Sequence, residues 1–315
     1  MPVIVRRKEG QPVGTSKRSR RLLSVGHWLA HLPDPGTLRT EREFFSVVVD
    51  GMEHAHFLLQ LGVAAAPSDR AATQGLTRRQ AVVVGHMVRM GKLFDACRLH
   101  FVREELELVA MLTRLIVETD SRLMYLMKNA SLHSYKSYVM ASYKPEKYVL
   151  QDLERKKKAR PLTSIEKRMR ASILRDLKSD GISRTALEQN SVWDMDGKNS
   201  RALALSIKRP EAYDYGFRMG SHWVHGDWFD LKRNHLTRVG SRYFPVLEYG
   251  KPDIRMAAPT AVRCLDTLLH YLDWSKCEAS ELLQQFAVRV RDAIGAVDAE
   301  HEMRIVRATQ SLGEA

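Results

Sequence analysis

Little in this 315-residue chain points to covalent or metal staples. Its three cysteines, Cys97, Cys264 and Cys277, are far apart and show no Cys-x-x-Cys spacing. That excludes a disulfide scaffold or a zinc ribbon and suits a reducing cytoplasm. No apolar run reaches the roughly eighteen residues that a transmembrane helix needs. The first residues, MPVIVRRKEGQPVGTSKRSRRLL, lack an apolar segment of signal-peptide length. Alternating runs that would mark strand pairs are missing. So are a Gly-rich phosphate loop, a G-x-S-x-G elbow and a Cys placed beside a His.

What is present reads as helix. The chain is 44% hydrophobic, enough for a sizeable core. Apolar residues recur at helical spacing over 41–66, which Pro67-Ser68-Asp69 ends. Thr77 can cap a second helix over 78–101. The stretch from Glu104 to about Asn129 is apolar on nearly all sides between Leu106 and Val117, the mark of a central helix. Pro210 can start a helix that Gly226 stops. An irregular stretch is expected over 228–257. Pro259 then starts another helix, and a last one runs from Ser280 to Arg307. The expected class is all-α: a single helical bundle domain over 22–307, with a basic flexible arm at 1–21, a basic helical excursion at 151–180 and a C-terminal tail at 308–315.

The net charge of +13 is concentrated. Residues 1–21 carry seven Lys/Arg against one Glu, and residues 151–180 carry ten against five acidic residues. The rest of the chain is nearly balanced. In the excursion, Thr163-Ser-Ile-Glu166 fits a capping box and Gly181 a helix stop. Ile165, Met169, Ile173, Leu174 and Leu177 give it an apolar stripe, so it is a helical pair rather than a linker. Lys156, Lys157, Lys158, Arg160, Lys167, Arg168 and Arg170 are its candidate nucleic-acid contacts, since clustered cations attract the RNA backbone through counterion release. A solvated helix face is the plainer alternative.

The stretch YDYGFRMGSHWVHGDW (213–228) concentrates groups of catalytic type. On a helix, Arg218, Ser221, His222 and His225 stand at i, i+3, i+4 and i+7 and share a face, with Tyr215 one turn earlier. Imidazoles titrate near neutrality and can move a proton, while a guanidinium can hold phosphate and the charge that grows on it. That is the equipment of metal-independent RNA cleavage. A His- and Tyr-rich helix end packed under a loop would look the same. Arg114 and Glu118, at i and i+4 within the most apolar helix, either fix packing or face the same pocket. Trp223 and Trp228 flank the His face as core anchors or base-stacking rings.

Metal ligation is the weaker route. His27-Trp-Leu-Ala-His31 puts two imidazoles on one side of a helix, but Trp28 stands where a metalloprotease would have Glu. Glu53, His54 and His56 are close in sequence, with the two histidines on different sides. Asp194, Asp196, Asp227 and Asp230 have no metal-ligand spacing. No metal or other cofactor is expected.

LTRLIVETDSRLMYL (112–126), YDYGFRMGSHWVHG (213–226) and VWDMDGKNSRALAL (192–205) together resemble a bacterial all-helical family known only as a domain of unknown function, over about 45–270. The matching positions are Arg114 and Glu118, then Tyr213 or Tyr215, Ser221, Val224 and His225. That family is itself similar to the HEPN superfamily (higher eukaryotes and prokaryotes nucleotide-binding). HEPN ribonucleases carry an Arg, four to six residues and then a His; here Met219 to Val224 separate Arg218 from His225. Met219 departs from the polar residue that usually follows the Arg. The resemblance implies a homodimer, an RNA substrate and a toxin or anti-phage setting with an operon partner protein. Arg218 and His225 would cleave, and Arg114 with Glu118 would support them. The expected function is a metal-independent endoribonuclease, with Ser221, His222 and Tyr215 positioning the reactive pair. One alternative is a non-catalytic helical module that binds RNA or protein. Another is a metal-dependent hydrolase built on His27, His31, Glu53 and His54.

Overall fold

The computed structural model describes residues 17–65, 75–190, 195–277 and 279–313. Among them are thirteen α-helices and one two-stranded hairpin, an all-α architecture as the periodicity predicts. Contacts divide the chain into two compact units.

The first unit comprises Met1–Ser68, Gly91–Leu112 and Leu247–Ala315. It is built on α1 (Lys17–Ala30), α2 (Glu41–Ala64), α12 (Ile254–Ser275) and α13 (Ser280–Gly313), with α2, α12 and α13 packed on one another. Phe44, Val48, Met52, Leu268, Tyr271, Leu272 and Ile294 are among its buried side chains. Thr40 and Glu43 form a reciprocal capping box that fixes where α2 begins.

The second unit comprises Asp69–Met90 and Thr113–Val246. Two helices cross the division in sequence: α3 (Arg78–Val102) and α4 (Leu106–Lys128). Thr77 caps α3, exchanging hydrogen bonds with Gln80. Next come α5 (Leu132–Ser142), α6 (Lys144–Ala159), α7 (Ser164–Ser179), α8 (Arg184–Gln189) and α9 (Ser200–Ser206). A π-helix (Ala212–Met219) then runs directly into α10 (Gly220–His225), and Gly226, at φ 58°, ends it in the left-handed conformation expected of a glycine stop.

The predicted excursion is the α6–α7 pair. The Thr163/Glu166 capping box is formed, and Gly181 follows α7 at φ 66°. Leu150, Ile173, Leu177 and Leu187 make a small core of their own, with Met140, Tyr143 and Leu174 packed against it. The predicted stripe therefore splits, because Ile165 and Met169 are exposed.

Several boundaries differ from expectation. The predicted arm ends sooner, because Lys17–Arg21 already belong to α1 and the arm's other residues lie outside the described ones. The 228–257 stretch is not irregular throughout. It holds α11 (Trp228–Asp230), a π-helical turn (Leu231–His235) and an antiparallel hairpin of β1 (Leu236–Val239) and β2 (Arg242–Pro245). Gly240, at φ 61°, supplies the two-residue turn that lets the strands pair. Helix α12 starts at Ile254, capped by Asp253, with Pro259 inside it rather than at its start. Helix α13 continues past Arg307 to Gly313, through most of the predicted tail.

Candidate functional site

The π-helix and α10 approach α4 closely because two glycines face it. A Cβ on Gly216 would lie 2.8 Å from Val117 Cγ2, and one on Gly220 would lie 2.8 Å from Arg114 Cβ. Such distances are shorter than side chains tolerate, so the contact requires Gly at both positions. Arg114 is buried at this contact. Its guanidinium lies 4.1 Å over the Phe217 ring, its Nε donates to Ser221 Oγ at 3.3 Å, and Nη1 donates to Glu118 Oε2 at 3.1 Å. Glu118 Oε1 also meets Arg122 at 2.7 Å. Ser221 in turn donates to the Phe217 carbonyl at 2.8 Å. Arg114, Glu118 and Ser221 thus converge, as a buried charge satisfied from three sides.

The remaining predicted catalytic residues stand elsewhere. Arg218, His225 and Tyr215 are exposed. Of the group that sequence spacing placed on one face, Ser221 meets Arg114, while Arg218 and His225 are exposed to solvent. His222 Nδ1 pairs with Asp227 Oδ2 at 2.6 Å. That hydrogen bond is the main cause holding the Asp227 carboxyl below the usual range. Asp227 also caps α11, accepting from the backbone N–H groups of Phe229 and Asp230. Trp223 Nε1 is buried without a hydrogen-bond partner among the described residues, whereas Trp228 is exposed and meets the Tyr243 ring edge-on at 5.4 Å.

The basic residues gather at the elbow between α6 and α7, around a broad crevice of about 690 Å³. Its lining includes Lys157, Lys158, Arg160, Lys167 and Arg170. Some of these cations are held in place by carboxylates. Arg160 grips Glu166 through two nitrogens at 2.8 and 2.7 Å, and Arg170 reaches Glu154 at 3.0 Å. Lys156 lies beside the crevice and pairs with Asp152 at 2.8 Å. The Arg160 pair, with the Thr163 backbone N–H, drives the Glu166 carboxyl far below its ordinary range. Lys157, Lys158, Lys167 and Arg168 are exposed and have no acidic partner among the described residues.

The candidate metal ligands do not assemble. His27 and His31 stack on each other with ring centroids 4.0 Å apart, and His54 lies against Trp28. His56 pairs with Asp95 at 3.3 Å. Asp196 accepts from the Tyr125 hydroxyl at 2.7 Å, and buried Asp230 accepts from Asn234 at 2.8 Å. Asp194 and the opening of the 192–205 stretch lie outside the described residues. Among the described residues no three His, Cys, Asp or Glu side chains come together as a metal site would need.

Three features escaped the sequence reading. The signal for the Gly216–Gly220 pair is two glycines four positions apart, which stand on one helix side. The His222–Asp227 pair depends on the turn at Gly226. His86, buried in α3, carries no local signal at all.

The fold and these surfaces define an all-α protein with a cationic elbow and a histidine-bearing helix face. Residues 80–241 match the model of a family of unknown function (DUF5677), and the chain belongs to that family. The match runs from the start of α3 to the hairpin and takes in the elbow, Arg114 and His225. No curated protein and no solved structure matches the chain. Among the described residues no helix is long and apolar enough to cross a membrane.

Proposed function

We propose that this protein binds RNA, and that the α6–α7 elbow is where it holds the backbone. The observation that carries the reading is the crevice itself, where Lys157, Lys158 and Lys167 lack acidic partners among the described residues while Arg160 and Arg170 are anchored by carboxylates. A fixed cationic frame with mobile ammonium groups along it suits phosphates spaced along a strand.

Cleavage is the second reading, favoured by one observation. Arg218 and His225 are both exposed, seven positions apart on consecutive helical segments, and neither makes a hydrogen bond or ion pair among the described residues. They are available to a phosphate, and a HEPN-like homodimer would join two such pairs into one groove. In this reading Arg218 holds the phosphate, His225 moves the proton of the ribose 2′-OH, and His222, steadied by Asp227, stands beside them. Arg114 and Glu118 then position the helix rather than touch RNA.

Labelled mixed-sequence RNA, incubated with the protein in EDTA, tests both. Binding that weakens with salt and is lost in K157Q/K158Q/K167Q supports the elbow. Binding unchanged in that variant refutes it. Cutting that leaves 2′,3′-cyclic phosphate ends and disappears in H225A supports cleavage, and intact RNA with both proteins removes it.

A further inference from the structure

His86 is 7% exposed, yet neither of its ring nitrogens has a hydrogen-bond partner among the described residues. A buried imidazole deprived of both its donor and its acceptor contact carries a real cost unless something else supplies them. It does not face closed packing. It lines a cleft of about 380 Å³ together with Arg78, Arg89, Tyr138, Ser142 and Asp180, the last paired with Arg78 at 3.6 Å. The Tyr138 ring stands 5.4 Å from the imidazole, tilted by 59°. Tyr138 and Ser142 also line a smaller cavity of about 180 Å³, whose wall includes Arg122 and Lys198.

The chemistry of this place is mixed in an informative way. Burial, with Arg122 and Arg89 nearby, pushes His86 down to about 4, so at neutral pH it presents one N–H donor and one lone-pair acceptor. The two guanidinium groups are steadied, Arg122 by Glu118 at 2.7 Å and Arg89 by Thr119 Oγ1 at 3.3 Å. A phosphate needs the cations. A heterocycle with paired donor and acceptor on its edge needs a neutral imidazole and a ring to lie against. The volume is at the lower end of what small-molecule pockets offer and suits a single nucleotide rather than a chain.

We propose that the cleft between α3 and α5, together with the adjoining cavity that shares Tyr138 and Ser142 with it, binds a mononucleotide-sized organic phosphate, with Arg89 of the cleft and Arg122 of the adjoining cavity on the phosphate and His86 on the edge of the ring. This site is separate from the elbow residues and from Arg218 and His225, and it does not depend on RNA binding or cleavage.

Calorimetric titration of the full chain with AMP, GMP, CMP and UMP, and with inorganic phosphate, tests it. The expected result is saturable one-to-one binding of at least one mononucleotide, at least tenfold tighter than inorganic phosphate. H86F keeps the volume and removes both nitrogens, and it should weaken that binding at least tenfold while its melting curve shows a folded protein. R89Q/R122Q changes two exposed side chains, should weaken binding likewise, and decides the matter if H86F does not fold. K157Q/K158Q should bind the nucleotide as the unaltered protein does. The proposal is overturned if none of the four mononucleotides saturates the protein, if the His86 and Arg89/Arg122 variants bind as well as the unaltered protein, or if the loss occurs in K157Q/K158Q instead.

Discussion

Arg114 and Ser221 lie 107 positions apart in sequence and are joined by a 3.3 Å hydrogen bond from Nε to Oγ. The guanidinium that makes this bond is buried and also satisfies Glu118, so it ties α10 to α4. Arg114→Ala should destabilise the fold by about 2–3 kcal/mol, because a buried network loses its central donor. Ser221→Ala removes one long hydrogen bond and should cost about 0.5–1 kcal/mol. Chemical denaturation of the two variants measures both. Equal costs would mean that the Ser221 bond, not the ion pair, holds the contact.

The glycines beneath this contact make a sharper demand. A Cβ at Gly216 would meet Val117 at 2.8 and 2.9 Å, and one at Gly220 would meet the Arg114 stem at 2.8 and 3.1 Å. Gly220→Ala in an ordinary exposed helix would stabilise slightly. Here it should destabilise by about 1–3 kcal/mol through overpacking, and Gly216→Ala should do the same. A melting temperature raised by either substitution would show that the helices part without cost.

RNA binding at the elbow makes a prediction in salt. For single strands, the logarithm of the affinity falls with the logarithm of salt by about 0.7 for each phosphate neutralised. Replacing Lys157, Lys158, Lys167 and Arg168 by Gln should therefore flatten that slope by about 3. Filter binding across a salt series gives the number. A weaker affinity with an unchanged slope would mean that these side chains shape the elbow without touching phosphate.

The helices and the elbow were legible because their signals are local. Thr163 with Glu166, Gly181 and Gly226 each mark an end by a cap that needs no distant partner. The hairpin has little sequence signal because Leu236–Val239 and Arg242–Pro245 are exposed, apart from half-buried Leu236, and show no apolar alternation; Gly240-Ser241 is the readable cue. Pro259 reads as a helix start because Pro suits a first turn, but Asp253 caps the helix further back. The grouping of Arg218 with Ser221 followed from spacing, yet the burial that separates them is set by Phe217 and Arg114, which lie on different elements. His86 was unreadable for the same reason: its surroundings come from α4 and α5, beyond any sequence window.

His86 also gives the fold a defined response to acid. Its pKa lies near 4 in the folded protein, against an ordinary 6.5, because burial and the nearby Arg122 and Arg89 oppose its charging. Between those two pH values the unfolded chain takes up a proton that the folded one refuses, so stability rises with pH across the window and is lost as pH falls from 6.5 toward 4. The full span corresponds to roughly 3 kcal/mol. Carboxylates titrate nearby in pH, some shifted up like Asp298 and some down like Asp227, so total stability mixes their contributions. The difference between the unaltered protein and H86F isolates the imidazole. Urea unfolding at pH 7 and pH 4.5 should show that difference shifting in favour of H86F by about 2 kcal/mol on acidification, since most of the window has then been crossed. A difference that stays constant between the two pH values would mean that the folded cleft lets His86 charge freely.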